Sequence, residues 1–159
     1  MRSFADDTGI LGTVYTSILH DGKLYVGTNQ GLFYKNYGSA EDFKFINGTK
    51  GQVWTLYSYK GTLFCGHDSG TFIVNGNTAN STFITSGTWK FENVPGREDL
   101  LLQGNYYGVS VIENKNGQWI FRNKIEGFDY SSKHFEITKN FEIYVSHEYK
   151  GVFRFQVDR

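Results

Sequence analysis

Side chains that could bind a ligand or transfer a proton occur together in short polar turns of this sequence, each between an apolar run and a glycine. The candidate binding residues are His67, Asp68, Asn105, Tyr106, Tyr107, His147, Glu148 and Tyr149. Tyrosine rings beside amide, carboxylate and imidazole groups can stack on a sugar or a peptide and hydrogen-bond to it. The turns therefore predict a ligand-binding surface.

The two pairs of histidine and carboxylate, His67-Asp68 and His147-Glu148, also raise the question of a metal or catalytic site. The sequence has no His/Cys spacing typical of structural zinc. A glycosidase or lyase needs two convergent acidic groups or a metal, and the turns contain one carboxylate per pair. We therefore predict no catalytic residues, no metal and no cofactor, and we keep a glycosidase- or lyase-type enzyme as the least favoured alternative.

These turns belong to a phrase that occurs four times along the chain. The copies cover residues 24–33, 63–72, 101–110 and 143–153. The first three copies place a glycine at positions 27, 66 and 104, which are 39 and 38 residues apart, and the fourth copy follows after 42 residues. Repeats of this length, built from short apolar runs and glycine turns, are typical of a β-propeller with one blade per repeat. We predict an all-β propeller with four blade motifs, in which the polar turns and the connections from one blade to the next lie on one face.

The predicted blades include an outer strand at the start of the chain. The approximate blade ranges are 13–47, 52–86, 88–123 and 131–158, with residues 2–5 completing the fourth blade. Pairing the two ends of the chain in this way removes a sheet edge. Three arrangements remain open: a closed four-blade ring, a segment of a larger propeller, and half of a propeller that a second copy completes. Each makes residues 1–159 one domain or domain segment.

Local patterns predict individual strands and turns within each repeat. Alternation of apolar and polar residues predicts a strand at Lys23–Thr28, for example. Asp21 and Gly22 both tolerate positive φ, so they predict a tight hairpin before that strand. In the second repeat the outer strand is predicted at residues 82–85.

Large apolar side chains at repeated positions predict a core. Trp54 and Trp89 occupy matching places at the start of inner strands, and Tyr15 has a similar position. We expect these three rings to pack in the core, since burying each contributes roughly 1.5–3 kcal/mol. Cys65 lies within an apolar strand pattern, which predicts a buried and unreactive thiol.

The bulk composition excludes two classes of partner for this segment. Sixteen basic and sixteen acidic residues cancel, and no segment is strongly basic. Because non-specific nucleic-acid binding needs clustered lysine and arginine, we expect no direct nucleic-acid contact. No stretch approaches the ~20 apolar residues of a membrane helix, so we expect no membrane span here.

The wording of the repeat resembles that of a known family. Residues 24–33, Leu-Tyr-Val-Gly-Thr-Asn-Gln-Gly-Leu-Phe, resemble the two-component regulator propeller repeat, in which an apolar-aromatic-apolar-Gly-Thr run precedes a short turn and Gly-Leu. The resemblance covers essentially the whole chain as four repeats. It is strong at residues 24–33, moderate at 63–72, and weaker in the last two copies, where Gln103 and Ser146 depart from the pattern.

The resemblance implies a function and a location. Such repeats form the periplasmic sensor regions of Bacteroidetes hybrid two-component systems and of triple-tyrosine LuxR-type transcriptional regulators. It therefore implies a non-catalytic, periplasmic sensor segment that binds a small molecule or oligosaccharide, with a carbohydrate or other nutrient as its signal. The alternative is a structural module for protein–protein interaction or self-assembly, whose partner is another protein or a second copy of the chain.

Overall fold

The computed structural model describes residues 9–83 and 86–158 as four antiparallel sheets. In every sheet the strands lie in chain order, so each strand pairs with the one before it through a hairpin. The chain divides into two compact units, residues 1–81 and 82–159. The predicted all-β fold with four blade-like sheets is confirmed, while the assignment of residues 1–159 to a single domain stays a prediction.

The first unit holds the first two sheets. The first sheet consists of β1 (Val14–His20), β2 (Lys23–Thr28), β3 (Gly31–Asn36) and β4 (Lys44–Phe45). The second sheet consists of β5 (Val53–Tyr59), β6 (Thr62–His67), β7 (Gly70–Asn75) and β8 (Thr78–Phe83), the last of which continues past residue 81. A shared core packs between these sheets and includes Tyr25, Leu32 and Val53.

The second unit holds the other two sheets. The third sheet consists of β9 (Thr88–Val94), β10 (Arg97–Asn105), β11 (Gly108–Lys115) and β12 (Gln118–Lys124). The fourth has three described strands, β13 (His134–Ile137), β14 (Glu142–His147) and β15 (Gly151–Gln156). The predicted outer strand at residues 2–5 lies outside the described residues. Leu102, Phe135 and Ile143 belong to the core between the third and fourth sheets.

The hairpin turns have the backbone conformation that the sequence predicts. Asp21 and Gly22 connect β1 to β2 with φ of 51° and 75°, both positive. Lys60-Gly61 and Asn116-Gly117 repeat this pair of positive φ angles in two other hairpins. A two-residue turn with positive φ at both positions matches the twist of paired strands, which explains the Gly at its second position.

The outer strand of the second sheet begins four residues earlier than predicted. It runs over β8, Thr78–Phe83, and residues 84–85 of the predicted range 82–85 lie outside the described residues. The strand begins directly after the turn that follows β7, and most of its side chains are exposed. An exposed outer strand with the sequence Thr-Ala-Asn-Ser-Thr-Phe carries no apolar alternation, so periodicity does not reveal where it begins.

Lys90 connects the third sheet to the fourth. Its Nζ donates to the carbonyl oxygen of Phe135 at 2.9 Å and forms ion pairs with Glu92 at 2.9 Å and Glu136 at 3.2 Å. Burial by itself lowers the pKa of the ammonium, but the hydrogen bonds and charges of the two glutamates outweigh it, so the pKa is raised. This ammonium therefore remains charged wherever the two sheets are packed together.

Cys65 is fully buried in the core of the first unit, as predicted. Burial raises the pKa of its thiol to about 12, and only the thiolate is a good nucleophile. We therefore expect native protein at about pH 8 to be unreactive toward a disulfide reagent such as dithiobis(nitrobenzoate), and unfolded protein to react at its one cysteine. Rapid labelling of the native protein would show that this part of the core opens.

Candidate functional site

Each sheet ends its second strand with a side chain at one matched position. This residue pairs with the glycine that begins the third strand. The four residues are Thr28, His67, Asn105 and His147. Three of them, Thr28, His67 and His147, accept a hydrogen bond from the backbone amide two residues further on. The matched position therefore shapes the turn that follows it.

In three of the sheets this side chain also hydrogen-bonds to the backbone of the segment that leads into the first strand of the same sheet. Thr28 Oγ1 donates to the carbonyl oxygen of Leu11 at 2.7 Å. Asn105 Nδ2 donates to the carbonyl oxygen of Gly87 at 3.3 Å. Both side chains are buried. A buried polar side chain needs a hydrogen-bond partner, and both find it in the backbone of the segment that leads into their own sheet, so these residues stabilise that segment rather than face solvent.

His67 has the same structural contacts. Its Nε2 lies 2.9 Å from the carbonyl oxygen of Thr49, and its Nδ1 accepts from the backbone amide of Ser69 at 3.0 Å. The acceptor role of Nδ1 places the ring proton on Nε2, where it donates to Thr49. The imidazole is 3% exposed. Its neighbour Asp68 is exposed. A ligand-binding role for these two residues stays a prediction. The two backbone hydrogen bonds of the His67 ring already account for a histidine at this position.

His147 differs from its three counterparts. Its Nδ1 accepts from the backbone amide of Tyr149 at 3.2 Å, so the ring proton again lies on Nε2. Among the described residues, however, Nε2 has no hydrogen-bond partner. The ring is half-buried and its edge rests against Tyr130, with 6.0 Å between ring centroids. His147 thus presents a free N–H donor at a position where the other sheets use theirs structurally.

A cleft in the second unit brings His147 together with other polar and aromatic side chains. We call it the His147 cleft, and its volume is about 280 Å³. Its lining residues are Trp89, Ser131, Lys133, His134, Ser146, His147, Glu148 and Tyr149. Three predicted site residues, His147, Glu148 and Tyr149, therefore share one cleft. The sequence does not mark the other lining residues as site residues. Ser131 and Lys133 come from a blade-to-blade connection, which is predicted to lie on the same face as the turns.

The contacts of Trp89 fix one wall of the His147 cleft. Its Nε1 donates to Ser131 Oγ at 3.0 Å, and its ring lies 4.8 Å from the ring of Tyr106. The ammonium of Lys133 lies over the indole, 5.1 Å from the ring centroid. A cation over an aromatic face is held by the ring quadrupole, so Lys133 is oriented without a carboxylate. Tyr149 is 88% exposed at the rim.

The remaining predicted residues lie beside this cleft. Tyr106 is half-buried and its ring covers Gly87. Tyr107 is 67% exposed and lines a second depression of about 320 Å³, together with Asn105 and Lys124. Tyr106 therefore supports Trp89, whereas Tyr107 is available to solvent. Neither ring lines the His147 cleft itself.

The core prediction for three large aromatic residues was wrong. Tyr15 is 43% exposed, and Trp54 and Trp89 are half-buried. Tyr15 and Trp54 pack against each other with 5.1 Å between ring centroids, as Trp89 does against Tyr106. These residues lie near the start of the first strands of their sheets, and each side chain keeps part of its surface exposed. Such rings are available for contact with a ligand.

A larger cavity of about 520 Å³ lies at the other end of the same strands. Its lining is mainly apolar and includes Leu102, Ile143 and Val157. The two arginines at its edge already pair with carboxylates, Arg97 with Asp99 and Arg122 with Glu113. The cavity therefore offers few groups that could orient a polar ligand, and we place the candidate site in the His147 cleft.

Groups of three or more histidine, cysteine, aspartate or glutamate side chains placed to hold a metal are absent from residues 9–83 and 86–158. In the same residues no helix is long and apolar enough to cross a membrane. The His147 cleft contains one carboxylate, that of Glu148. The same cleft presents hydrogen-bond donors and aromatic rings.

Comparison with known proteins supports the fold and not a family. No protein-family model matches the chain, and no curated protein sequence matches it. Among solved structures, the computationally designed Ika4 protein has a TM-score of 0.68 at 10% identity, with 99% of each chain covered. The WD40 β-propeller domain of Doa1 has a TM-score of 0.62 at 12% identity, covering 90% of this chain and 50% of that one.

A third similar structure is the extracellular domain of BT3049 from B. thetaiotaomicron, a protein assigned to the hybrid two-component systems. Its TM-score is 0.67 at 15% identity, and the match covers 87% of this chain. The chain spans 19% of the length of that domain. Together with the four sheets of consecutive strands, these similarities show that the chain has a β-propeller fold.

Proposed function

We propose that the chain is a non-catalytic, ligand-binding propeller segment of a bacterial signalling protein, and that the His147 cleft binds a carbohydrate. The observation that carries this proposal is the free Nε2–H of His147 in a cleft walled by Trp89 and Tyr149. Sugars present apolar C–H faces that stack on aromatic rings and hydroxyls that accept hydrogen bonds. Within this proposal the cleft contributes binding and no reaction.

The signalling part of the proposal draws on the repeat wording and on one structural neighbour. Residues 24–33 resemble two-component regulator propeller repeats, and the BT3049 domain is the extracellular part of a hybrid two-component system. We therefore propose a periplasmic sensor segment of a two-component or LuxR-type transcriptional regulator. Binding would favour one arrangement of the sensor over another and pass that bias to an output domain. Fold alone cannot make this assignment, because propellers serve many functions.

The test is a thermal-shift screen of the chain against oligosaccharides, followed by calorimetric titration of the compounds that raise the melting temperature. A ligand that binds only the folded state stabilises it by mass action. We expect Trp89→Ala to weaken binding of such a compound at least about tenfold, since stacking and the Ser131 contact are both lost. Circular dichroism melting shows whether the variant remains folded.

Trp54→Ala is the matched control for this experiment. Trp54 has the same position in β5 that Trp89 has in β9, and it also packs on a tyrosine. It does not line the His147 cleft. Equal loss of affinity in both variants would place the ligand elsewhere. Concentration-dependent self-association with no response to any sugar would instead support the interaction module.

A further inference from the structure

Two lysines flank the His147 cleft without a carboxylate partner. Lys133 lies over the indole of Trp89, and Lys150 lies over the ring of Tyr130 with its Nζ 5.6 Å from the ring centroid. Both side chains are exposed, and neither has an ion pair with any described residue. Each ammonium is therefore placed by an aromatic ring and keeps its hydrogen-bond donors available.

Five other basic residues of the second unit pair with carboxylates, whereas Lys139 and Arg154 also lack an ion pair with the described residues. Those that form ion pairs with carboxylates of the same unit are Lys90, Arg97, Lys115, Arg122 and Lys124. Pairing neutralises their charge locally. Lys133 lines the cleft, Lys150 directly follows the rim residue Tyr149 in the chain, and neither ammonium is paired with a described carboxylate. A surface with unpaired charge of one sign attracts ligands of the opposite sign.

The polar groups inside the cleft also favour a ligand that carries hydrogen-bond acceptors. His147 Nε2–H is a donor. The Ser131 oxygen accepts a hydrogen bond from Trp89, and its hydroxyl hydrogen remains available to donate to a ligand. The one lining carboxylate, Glu148, is exposed and has no ion pair with a described residue. The donors and two ammonium groups outnumber this single negative charge.

We infer that the carbohydrate bound in the His147 cleft is acidic, with a carboxylate held by Lys133, Lys150 and His147. This inference rests on the proposed function and narrows its ligand class to oligosaccharides that contain uronic acid. The carboxylate forms charge-assisted hydrogen bonds with the ammonium groups, and the sugar rings lie against the aromatic residues of the cleft. Glu148 contributes repulsion that disfavours ligands with more negative charge at its end of the cleft.

The experiment is calorimetric titration with uronic-acid disaccharides and with the neutral disaccharides that differ only in having a hydroxymethyl group for each carboxylate. We expect the acidic member of a pair to bind at least about tenfold more tightly, and added NaCl to remove most of that difference. Lys133→Met with Lys150→Met should weaken acidic binding at least about tenfold and abolish the difference in affinity between the acidic and neutral members of a pair. Glu148→Gln should tighten acidic binding.

Lys139→Met is the matched control, because Lys139 is an exposed lysine of the same sheet at the opposite end of β14. It should bind every disaccharide as the unmodified protein does, and all variants should melt at the same temperature. Equal binding of acidic and neutral members, lost in Trp89→Ala, would overturn the acidic preference and leave the carbohydrate site standing. Absence of binding by every disaccharide would overturn both proposals.

Discussion

Gly104→Ala is expected to lower the free energy of unfolding by at least about 3 kcal/mol. A Cβ atom at this position would come far inside contact distance of the carbonyl oxygen of Ser132 and within 2.7 Å of the Phe135 ring. The oxygen belongs to the backbone of the segment that leads into β13. That segment is also held by a hydrogen bond from the Ser132 amide to the Asn105 carbonyl oxygen at 3.0 Å. It therefore cannot move aside cheaply.

The measurement is urea unfolding followed by tryptophan fluorescence and circular dichroism. Gly117→Ala is the control, because Gly117 has open space around it and a φ of 85°. That variant reports the cost of a strained backbone without a steric clash, about 1 kcal/mol. A loss for Gly104→Ala no larger than that for Gly117→Ala would show that the third and fourth sheets pack less closely at this point than the structure indicates.

The sequence predicts that the repeated glycines are needed, and the structure separates two reasons. Gly31 and Gly108 begin their strands with φ of 137° and 128°, a conformation that other residues rarely adopt. Gly27 and Gly104 have no such φ and are instead approached by the neighbouring sheet. Both reasons produce the same letter at the same repeat interval, so the sequence alone cannot distinguish them.

Strand positions were predictable where apolar side chains of the strand enter a core. The limits of β2 match the predicted range, Lys23–Thr28, and Tyr25 and Val26 of this strand are buried. The start of the outer strand β8 was predicted too late in the sequence. Most side chains of this strand are exposed, so no alternation of apolar residues marks where it begins. Hairpin turns were predictable for a different reason, since Asp-Gly, Lys-Gly and Asn-Gly satisfy a local backbone requirement.

The candidate site was only partly predictable. The turns were expected on one face, and three of their residues do line the His147 cleft. His67 and Asn105 instead use their side-chain donors in hydrogen bonds to backbone carbonyl oxygens 18 residues earlier in the chain. Polar residue types do not reveal such distant partners. Lys133 was missed because its significance depends on Trp89, 44 residues away, and on the absence of a carboxylate among the described residues near it.

Ser110→Ala is expected to lower the free energy of unfolding by about 2–3 kcal/mol, because it removes two hydrogen bonds from the interior of the third sheet. Gln103 Nε2 donates to Ser110 Oγ at 3.0 Å, and Ser110 Oγ donates to Asn105 Oδ1 at 2.5 Å. Asn105 Nδ2 then donates to Thr88 Oγ1 at 3.0 Å. All four side chains are at most 5% exposed.

This network explains why the third repeat departs from the others. Gln103 pairs across strands with Ser110, whereas the matched pair in the first sheet is Val26 with Phe33. An apolar pair has been replaced by a polar pair that fills the position and reaches Asn105. Buried polar groups are tolerated when they are hydrogen-bonded, so the two replacements depend on each other.

Urea unfolding of Ser110→Ala, Gln103→Met and the double variant tests that dependence. We expect the double variant to lose about 1 kcal/mol less than the sum of the single losses, since the bond between the two side chains can be lost only once. Ser81→Ala is the control, because Ser81 is exposed in β8 and should change stability by less than about 0.5 kcal/mol. Additive losses, or a Ser110→Ala loss as small as that control, would mean that Gln103 and Ser110 are independent substitutions in the repeat. A coupled loss would instead make the departure of the third repeat a single structural change, made at two positions that face each other across β10 and β11.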